Sequence, residues 1–369
     1  MSLRRLAIGD PQAPFDRFLA ILRAHGALDA GGRLRDDVSL VSMGDHFDWG
    51  GPEARGAATE QGLALLSWLA AHPPDQVEIL LGNHDLARVT ELWAFDDETY
   101  AGARAEADTA YRRGDPDAAG ERALLRRWPQ LASAEVLARD YSTFCVAQRT
   151  LLVDLLRDRR VRLAAAPAPD LLLVHAGVTR ADLAAAGLAA GAPLDARAAA
   201  AALNARLDAA VAAWDEGRAP LDLLPLHQPG GALLGEGRGI LYHRPSDPGG
   251  EEAALFAGPP QRRFDPRALP LGLVQGVGHI RDGKCRKLLR GWADPEPEED
   301  GPLRALLTDG TTVRYGRARL AEVPAAAIAA RAAMIFLDGG MNWGIPDEYE
   351  LLDLDTRRAA PRAGRAVPG

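Results

Sequence analysis

The chain has 369 residues with a net charge of −8 at neutral pH and a pI near 5.6, so no strongly basic surface for nucleic acid is expected. Its two cysteines, Cys145 and Cys285, imply no disulfide framework, and the N-terminus has no apolar stretch long enough for a signal peptide or membrane span. These features predict a cytoplasmic protein without nucleic-acid or membrane partners.

Residues 1–92 alternate between short apolar runs and amphipathic stretches. Strands are predicted near residues 4–9, 38–43 and 77–81, with helices near 14–25 and 55–71. Because such alternation is typical of parallel strands joined by crossover helices, an α/β fold is expected.

Two long segments interrupt this pattern and predict insertions. Residues from about 93 to 160 have helical spacing, and they either form a lid over a functional site or only cover a sheet face. A second insertion, from about 180 to 270, is predicted to contain two helices, an irregular Pro/Gly segment and a short strand at 239–245.

The pattern becomes β-like from residue 271. A strand leads into His279, a hairpin with a type I′ turn is predicted around Asp309-Gly310, and Ala333–Leu337 forms another buried strand. We therefore expect a single domain over residues 1–355 and a disordered tail over residues 356–369.

The most informative feature is a repeated arrangement in which an apolar strand ends in polar side chains. Val77–Leu81 leads to Gly82-Asn83-His84-Asp85, and four further strands lead to polar residues in the same way. These residues are Asp10 with Gln12, Asp45 with Asp48, His175, and His279. Five strands presenting such residues at their carboxyl ends predict a site on one rim of a sheet.

The residue types indicate a metal centre. Carboxylates, an amide oxygen and neutral imidazoles are ligands that first-row divalent ions accept. A shared carboxylate can hold two ions about 3.5–4 Å apart, an arrangement suited to in-line phosphoryl displacement.

The order of these motifs resembles that of the calcineurin-like metallophosphoesterases over roughly residues 6–282. Within that superfamily the chain looks similar to the serine/threonine-phosphatase-like branch, including the Shewanella-like phosphatases and diadenosine tetraphosphatases, because of His175-Ala176-Gly177, Leu241–Arg244 and Leu337–Met341. The resemblance implies a four-layer α/β/β/α sandwich of two mixed sheets, with helical insertions.

The resemblance also implies a role for each residue. Asp45 would bridge two divalent ions, Asn83, His175 and His279 would complete one position, and Asp10 with Gln12 would complete the other. A metal-activated hydroxide would attack phosphorus, His84 would act as the general acid, and Asp48 would orient its imidazole. Arg244 and Asn83 would bind the substrate phosphate, although a surface salt bridge would equally explain Arg244.

Three positions depart from the family pattern. Gln12 stands where the first motif normally has His, Arg281 stands where many members have a second His after the final Gly-His, and Trp49 replaces an Arg that grips phosphate. Gln12 and Arg281 together predict that the ion at the Asp10/Gln12 position is bound more weakly. Trp49 predicts that Arg244 binds more of the substrate phosphate, with Arg88 or Arg281 as further candidates. Manganese is favoured as the ion, with Fe, Zn, Co or Mg as alternatives.

The predicted function is a metal-dependent phosphatase acting on a phosphomonoester, which would be a phosphoprotein, a nucleotide or a small metabolite. Two alternatives stay open: a hydrolase of dinucleoside polyphosphates or other phosphodiesters, and a degenerate, non-catalytic module that binds metal or phosphate. The sequence is silent on the oligomeric state.

Overall fold

The computed structural model describes residues 3–112, 116–189, 194–249, 256, 258–326 and 329–363. These residues form two six-stranded mixed sheets with helices outside them. The strands are β1 Arg4–Ile8, β2 Val38–Ser42, β3 Val77–Leu80, β4 Val161–Arg162, β5 Ala164–Ala168, β6 Leu171–Val174, β7 His227–Gln228, β8 Arg238–Gly239, β9 Arg244–Pro245, β10 Arg263–Phe264, β11 Val274–Val277, β12 Arg304–Thr308, β13 Val313–Gly316, β14 Ala332–Phe336, β15 Leu352–Asp353 and β16 Arg358–Ala359.

The helices are α1 Phe15–Ala24, α2 Arg55–Ala70, α3 Asn83–Ala87, α4 Asp97–Ala110, α5 Ala118–Arg127, α6 Val146–Arg157, α7 Arg180–Ala185, α8 Ala196–Ala213 and α9 Asp282–Leu289, with a π-helical turn at Val136–Asp140. The five elements predicted before residue 92 agree with β1, α1, β2, α2 and β3 to within one residue at each end.

The first sheet has the order β16-β15-β1-β2-β3-β4, and the second has the order β13-β12-β14-β11-β6-β5. Strands β1 to β4 are parallel neighbours in the first sheet, and β6, β11 and β14 are parallel neighbours in the second. The carboxyl ends of these strands therefore lie at one edge of each sheet.

Alternating side chains place the two sheets face to face. Ala7 and Val41 of the first sheet share a buried cluster with Leu171, Leu173 and other residues of the second. Their neighbours, such as Leu6, point to the opposite faces and pack in a cluster that includes residues of α1, α2, α6 and α8. The predicted layers of helix, sheet, sheet and helix are confirmed.

The first insertion is helical, as predicted, but its helices play different parts. Leu152 and Leu156 of α6 join the main core, whereas α4, α5 and the π-helical turn form a separate cluster with Phe95 and Tyr141. A polar segment of this second group, residues 132–141, lies beside the predicted site. Its position favours the interpretation that part of the insertion shapes the site rather than only covering a sheet.

Several sequence predictions need correction. Residues 356–363 are not disordered, because Arg358–Ala359 pair with β15 and Ala360 is buried; residues 364–369 lie outside the described residues. The β12–β13 hairpin exists, but Thr308 pairs with Val313, so its loop has four residues rather than a two-residue turn. The site also draws on the edges of two sheets rather than on one rim. No helix among the described residues is long and apolar enough to cross a membrane.

Candidate metal centre and active site

Five strand ends bring the predicted ligands together. Asp10, Asp45 and Asn83 follow β1, β2 and β3 of the first sheet, while His175 and His279 follow β6 and β11 of the second. The two parallel sets end at the same side of the sandwich, and the ligands meet between them.

Asn83 is at the centre of the group. Its Oδ1 lies 3.1 Å from His175 Nε2 and 3.0 Å from His279 Nδ1, and Asp45 Oδ2 lies 3.5 Å from His175 Nε2. One ligand atom from each of Asp45, His175 and His279 falls within 4.8 Å of the others. His175 Nδ1 donates to the carbonyl oxygen of Met43 at 2.8 Å, which leaves Nε2 directed at the other ligands.

Asp10 and Gln12 lie at the other side of this group. Asp10 Oδ2 accepts a hydrogen bond from the His279 backbone N–H at 2.7 Å, and its Oδ1 lies 4.0 Å from His175 Nδ1. Gln12 Nε2 donates to the carbonyl oxygen of Phe47 at 3.2 Å, so its amide oxygen is the atom that remains available as a ligand. Asp10 and Gln12 together offer oxygen donors only.

Tight backbone approaches make this convergence possible. A Cβ on Gly82 would lie 2.0 Å from Asp45 Oδ1, and one on Gly278 would lie 1.9 Å from Asp10 Oδ1. Asp45 and His279 have left-handed backbones, with φ of 59° and 65°. Such conformations are costly for residues other than glycine, and they cluster at functional sites.

The electrostatics of the group favour a cation. Burial opposes a charge on His175, but Asp45 and Asp10 outweigh it and raise the pKa of His175 to about 10. Burial and the neighbouring Asp338 raise the pKa of Asp10. The carboxylates therefore stabilise positive charge here, and two buried atoms, Asp10 Oδ1 and His279 Nε2, have no hydrogen-bond partner among the described residues. This donor set fits a divalent metal.

His84 stands beside the ligands. Its Nδ1 donates to Asp48 Oδ2 at 3.0 Å, and its Nε2 lies 3.9 Å from Asp45 Oδ2. Burial disfavours the imidazolium, but Asp45 and the hydrogen bond to Asp48 raise the pKa of His84 to about 9. The two neighbouring carboxylates therefore favour the protonated form of His84.

Asp48 is held by residues that the sequence analysis did not connect with it. Arg88 Nη1 donates to Asp48 Oδ2 at 2.7 Å, and the Thr143 backbone N–H and hydroxyl donate to Oδ1 at 2.9 and 2.6 Å. Burial opposes the charge on Asp48, but Arg88 and His84 hold its pKa well below its usual range. Asp48 is therefore a fixed anion behind His84.

Asp85 organises the backbone of two ligand loops. Its carboxylate accepts hydrogen bonds from the backbone N–H groups of Gly82, Asp45 and His46 at 2.8–2.9 Å, and His46 Nδ1 lies 3.0 Å away. Burial opposes ionisation, but His46 and these donors lower the pKa of Asp85 to about 2. Asp85 belongs to the Gly82-Asn83-His84-Asp85 motif, but nothing in the local sequence indicates that it would bind the backbone at Asp45 and His46, about 40 residues away.

A cavity of about 510 Å³ opens above the ligands. Its floor contains Gln12, Asp45, Asn83, His84 and His279. The first wall is segment 132–141, and the second wall consists of Gly235, Glu236, Tyr242, Arg244 and Lys284. The second wall thus carries Arg244 to the cavity and adds Lys284, which the sequence analysis missed because no motif surrounds it.

The candidate phosphate-binding arginines differ in position. Arg244 lines the cavity and makes hydrogen bonds of 2.7 and 3.1 Å with Glu236. Arg88 is fully buried behind Asp48, and Arg281 pairs with Asp300 and stacks on Trp343 at 4.3 Å. Neither Arg88 nor Arg281 lines the cavity, so neither is placed to take over phosphate binding as the sequence suggested.

The paired mixed sheets with metal-type ligands at their strand ends define a metallophosphoesterase architecture. Residues 3–184, just under half of the chain, match the family model of the calcineurin-like phosphoesterases. This match identifies residues 3–184 as a calcineurin-like phosphoesterase domain, a family whose members are metal-dependent.

Two solved structures of cold-active protein tyrosine phosphatase show a partial similarity to the chain. A mutant form has 15% sequence identity and a TM-score of 0.41, with 98% of this chain and 81% of that chain covered. A second structure has 15% identity and a TM-score of 0.36, with 76% and 65% covered. No curated protein matches the chain.

Proposed function

We propose that this protein is a metal-dependent phosphatase that hydrolyses phosphomonoesters, with a phosphorylated small molecule or a phosphoprotein as its substrate. The observation that carries the proposal is the convergence of Asp45, Asn83, His175 and His279, with His84 oriented beside Asp45 by its hydrogen bond to Asp48. The match of residues 3–184 to the calcineurin-like phosphoesterases supports hydrolysis of a phosphate ester as the type of reaction.

The proposed metal ligands divide into two groups. Asn83, His175 and His279 would hold one divalent ion, Asp10 and Gln12 would hold a second and weaker one, and Asp45 would be shared. When bound, such ions supply Lewis acidity and lower the pKa of a coordinated water towards neutrality. We favour manganese, because the set mixes imidazole with oxygen donors.

The chain's own residues would handle the leaving group and the phosphate. His84 would donate its Nε2 proton to the leaving oxygen, while Asp48 fixes the tautomer through Nδ1 and keeps the imidazole in place. Arg244, whose planar fork suits phosphate oxygens, would exchange its contact with Glu236 for the substrate, and Asn83 would offer its amide group. The place of Arg244 at the cavity also supports the resemblance to the Shewanella-like phosphatases.

We also propose a cytoplasmic location for the protein. Both Cys145 and Cys285 are free thiols, and Cys285 is buried, which fits a reducing compartment. Fractionation of cells that produce the chain at natural levels would test this, and recovery outside the cytoplasm would contradict it.

The test is hydrolysis of p-nitrophenyl phosphate with manganese added or chelated. Turnover should require the metal and should be lost in His84→Ala and Asp45→Asn. Asp309→Asn, which makes the same carboxylate-to-amide change in an exposed loop, should keep full activity. Turnover of bis-p-nitrophenyl phosphate without turnover of the monoester would replace the proposal with a diesterase, and inactivity towards both esters with every metal would favour a binding module.

A further inference from the structure

A pair of buried tyrosines joins the two walls of the cavity. Tyr141 ends the first wall and Tyr242 belongs to the second, and their side-chain hydroxyls are hydrogen-bonded to each other. Only 3% and 2% of the two residues are exposed. A buried hydrogen bond therefore connects the first insertion, at Tyr141, with the second insertion, at Tyr242.

A buried carboxylate, Glu91, lies close to the pair. It accepts hydrogen bonds from the Thr90 hydroxyl and, at 2.8 Å, from the backbone N–H of Gly230 in the second insertion. Burial raises the pKa of both tyrosine hydroxyls, and the charge of Glu91 raises it further. Both hydroxyls therefore keep their protons, and one of them donates the hydrogen bond that joins the pair.

The same rings contact the two histidines of the site. The Tyr141 ring meets the His84 ring edge-on at 5.6 Å between centroids, and the Tyr242 ring meets His279 edge-on at 6.0 Å. The Tyr100 hydroxyl donates to the backbone carbonyl of Tyr141 at 2.5 Å, which fixes the first wall at that residue. Asp48 restrains His84 through Nδ1, and the Tyr141 ring restrains it from another side.

We propose that Tyr141 and Tyr242 form a positioning pair that ties the first wall to the second and holds the His84 ring in its donating orientation. Neither tyrosine is a catalytic residue. The catalytic consequence rests on the proposed function, whereas the link between the walls can be measured without any substrate.

The experiment compares Tyr141→Phe, Tyr242→Phe and the double variant with the wild type. Tyr315→Phe is the matched control, because its buried hydroxyl is also hydrogen-bonded, to Asp282 Oδ1 at 2.7 Å, but the residue does not line the cavity. Amide hydrogen exchange of the full-length protein without substrate reports on both walls. Each single variant should speed exchange about three- to tenfold in both residues 132–141 and residues 226–242, as expected for one lost hydrogen bond.

Steady-state kinetics with p-nitrophenyl phosphate and manganese provide the second measurement. Either tyrosine variant should lower kcat about three- to tenfold with KM unchanged. The kcat of the double variant should be no lower than that of the more impaired single variant, because the first substitution already breaks the pair. Tyr315→Phe should change neither quantity.

If exchange becomes faster only in the wall that carries the substitution, the proposed connection between the two walls is wrong. If kcat is unchanged in an active enzyme, the two tyrosines do not position His84. A wild type that hydrolyses no ester would instead overturn the proposed function, and hydrogen exchange would still decide whether the walls are linked.

Discussion

A buried ion pair between Arg88 and Asp48 lies behind His84. Arg88 and the Asp48 side chain are completely buried, with 2.7 Å between Arg88 Nη1 and Asp48 Oδ2, and Arg88 also donates to the His84 carbonyl oxygen at 2.6 Å. Arg88→Met removes the charge and keeps an unbranched side chain of adequate length. Asp48 is then left as a buried anion with only Thr143 and His84 as donors.

The expected cost follows from that geometry. Breaking a buried pair by removing one partner costs about 3–5 kcal/mol, because the remaining charge is uncompensated. Since Asp48 keeps the Thr143 and His84 donors, the lower end, about 3 kcal/mol of the free energy of unfolding, is expected for Arg88→Met. The pKa of Asp48 should rise as well, which weakens its hold on His84 and lowers kcat.

Urea unfolding of Arg88→Met, Asp48→Asn and the double variant measures the pair directly. The double variant should lose about 1–3 kcal/mol less than the sum of the single losses, because neither buried charge is then left alone. Arg281→Met is the control: its pair with Asp300 is partly exposed, so it should cost at most about 1 kcal/mol. Additive losses in the cycle would refute the argument that the pair is coupled.

Three further predictions test the fold and the metal centre. Burial lowers the pKa of His227 to about 3 from its ordinary value of 6.5. As pH falls, the unfolded state therefore binds a proton before the folded state does. The free energy of unfolding should decline from about pH 6.5 towards pH 3 for that reason. Between pH 6.5 and pH 5 the wild type should lose about 2 kcal/mol more than His227→Phe in the free energy of unfolding; equal slopes would contradict this. Gly82→Ala should abolish tight manganese binding in calorimetry, because the new Cβ would lie 2.0 Å from Asp45 Oδ1. The control Gly102→Ala, at an exposed position of α4, should leave manganese binding unchanged and should leave the free energy of unfolding equal or slightly higher. Gln12→His should tighten the weaker of two manganese binding steps, and two equally tight steps in the wild type would show that no weak position exists.

The ligand residues were predictable because each is marked by local sequence. The signal is only a few residues long: an apolar strand is followed by a polar residue, with a glycine or alanine beside it, as at Gly82-Asn83 and Gly278-His279. The structure explains the two glycines, since a Cβ at either position would collide with Asp45 or Asp10. Local patterns, however, carry no information about which sheet a strand joins, and the single rim was wrong for that reason.

The residues that support the ligands were not predictable in this way. Thr143 lies 95 positions from Asp48, and Tyr141 lies 101 positions from Tyr242, so no local spacing connects them. The composition of residues 356–369 predicted a disordered tail. Arg358, however, donates hydrogen bonds to the carbonyl oxygens of Leu320 and Val323, which fixes this part of the segment. A chain segment too polar to form a core of its own can be ordered by pairing with an existing edge strand.

The division of the site between floor and walls has a consequence for specificity. The floor comes from strand ends fixed by two hydrogen-bonded sheets, so its ligand spacing is set by the fold. The walls come from the two insertions and α9, and they carry Glu135, Arg139 and Asp140 on one side and Glu236, Arg244 and Lys284 on the other. Because these charges lie outside the ligand set, substitutions there should change which ester binds without changing how metal is held. Substrate choice is therefore expected to follow the walls, and the chemistry to follow the floor.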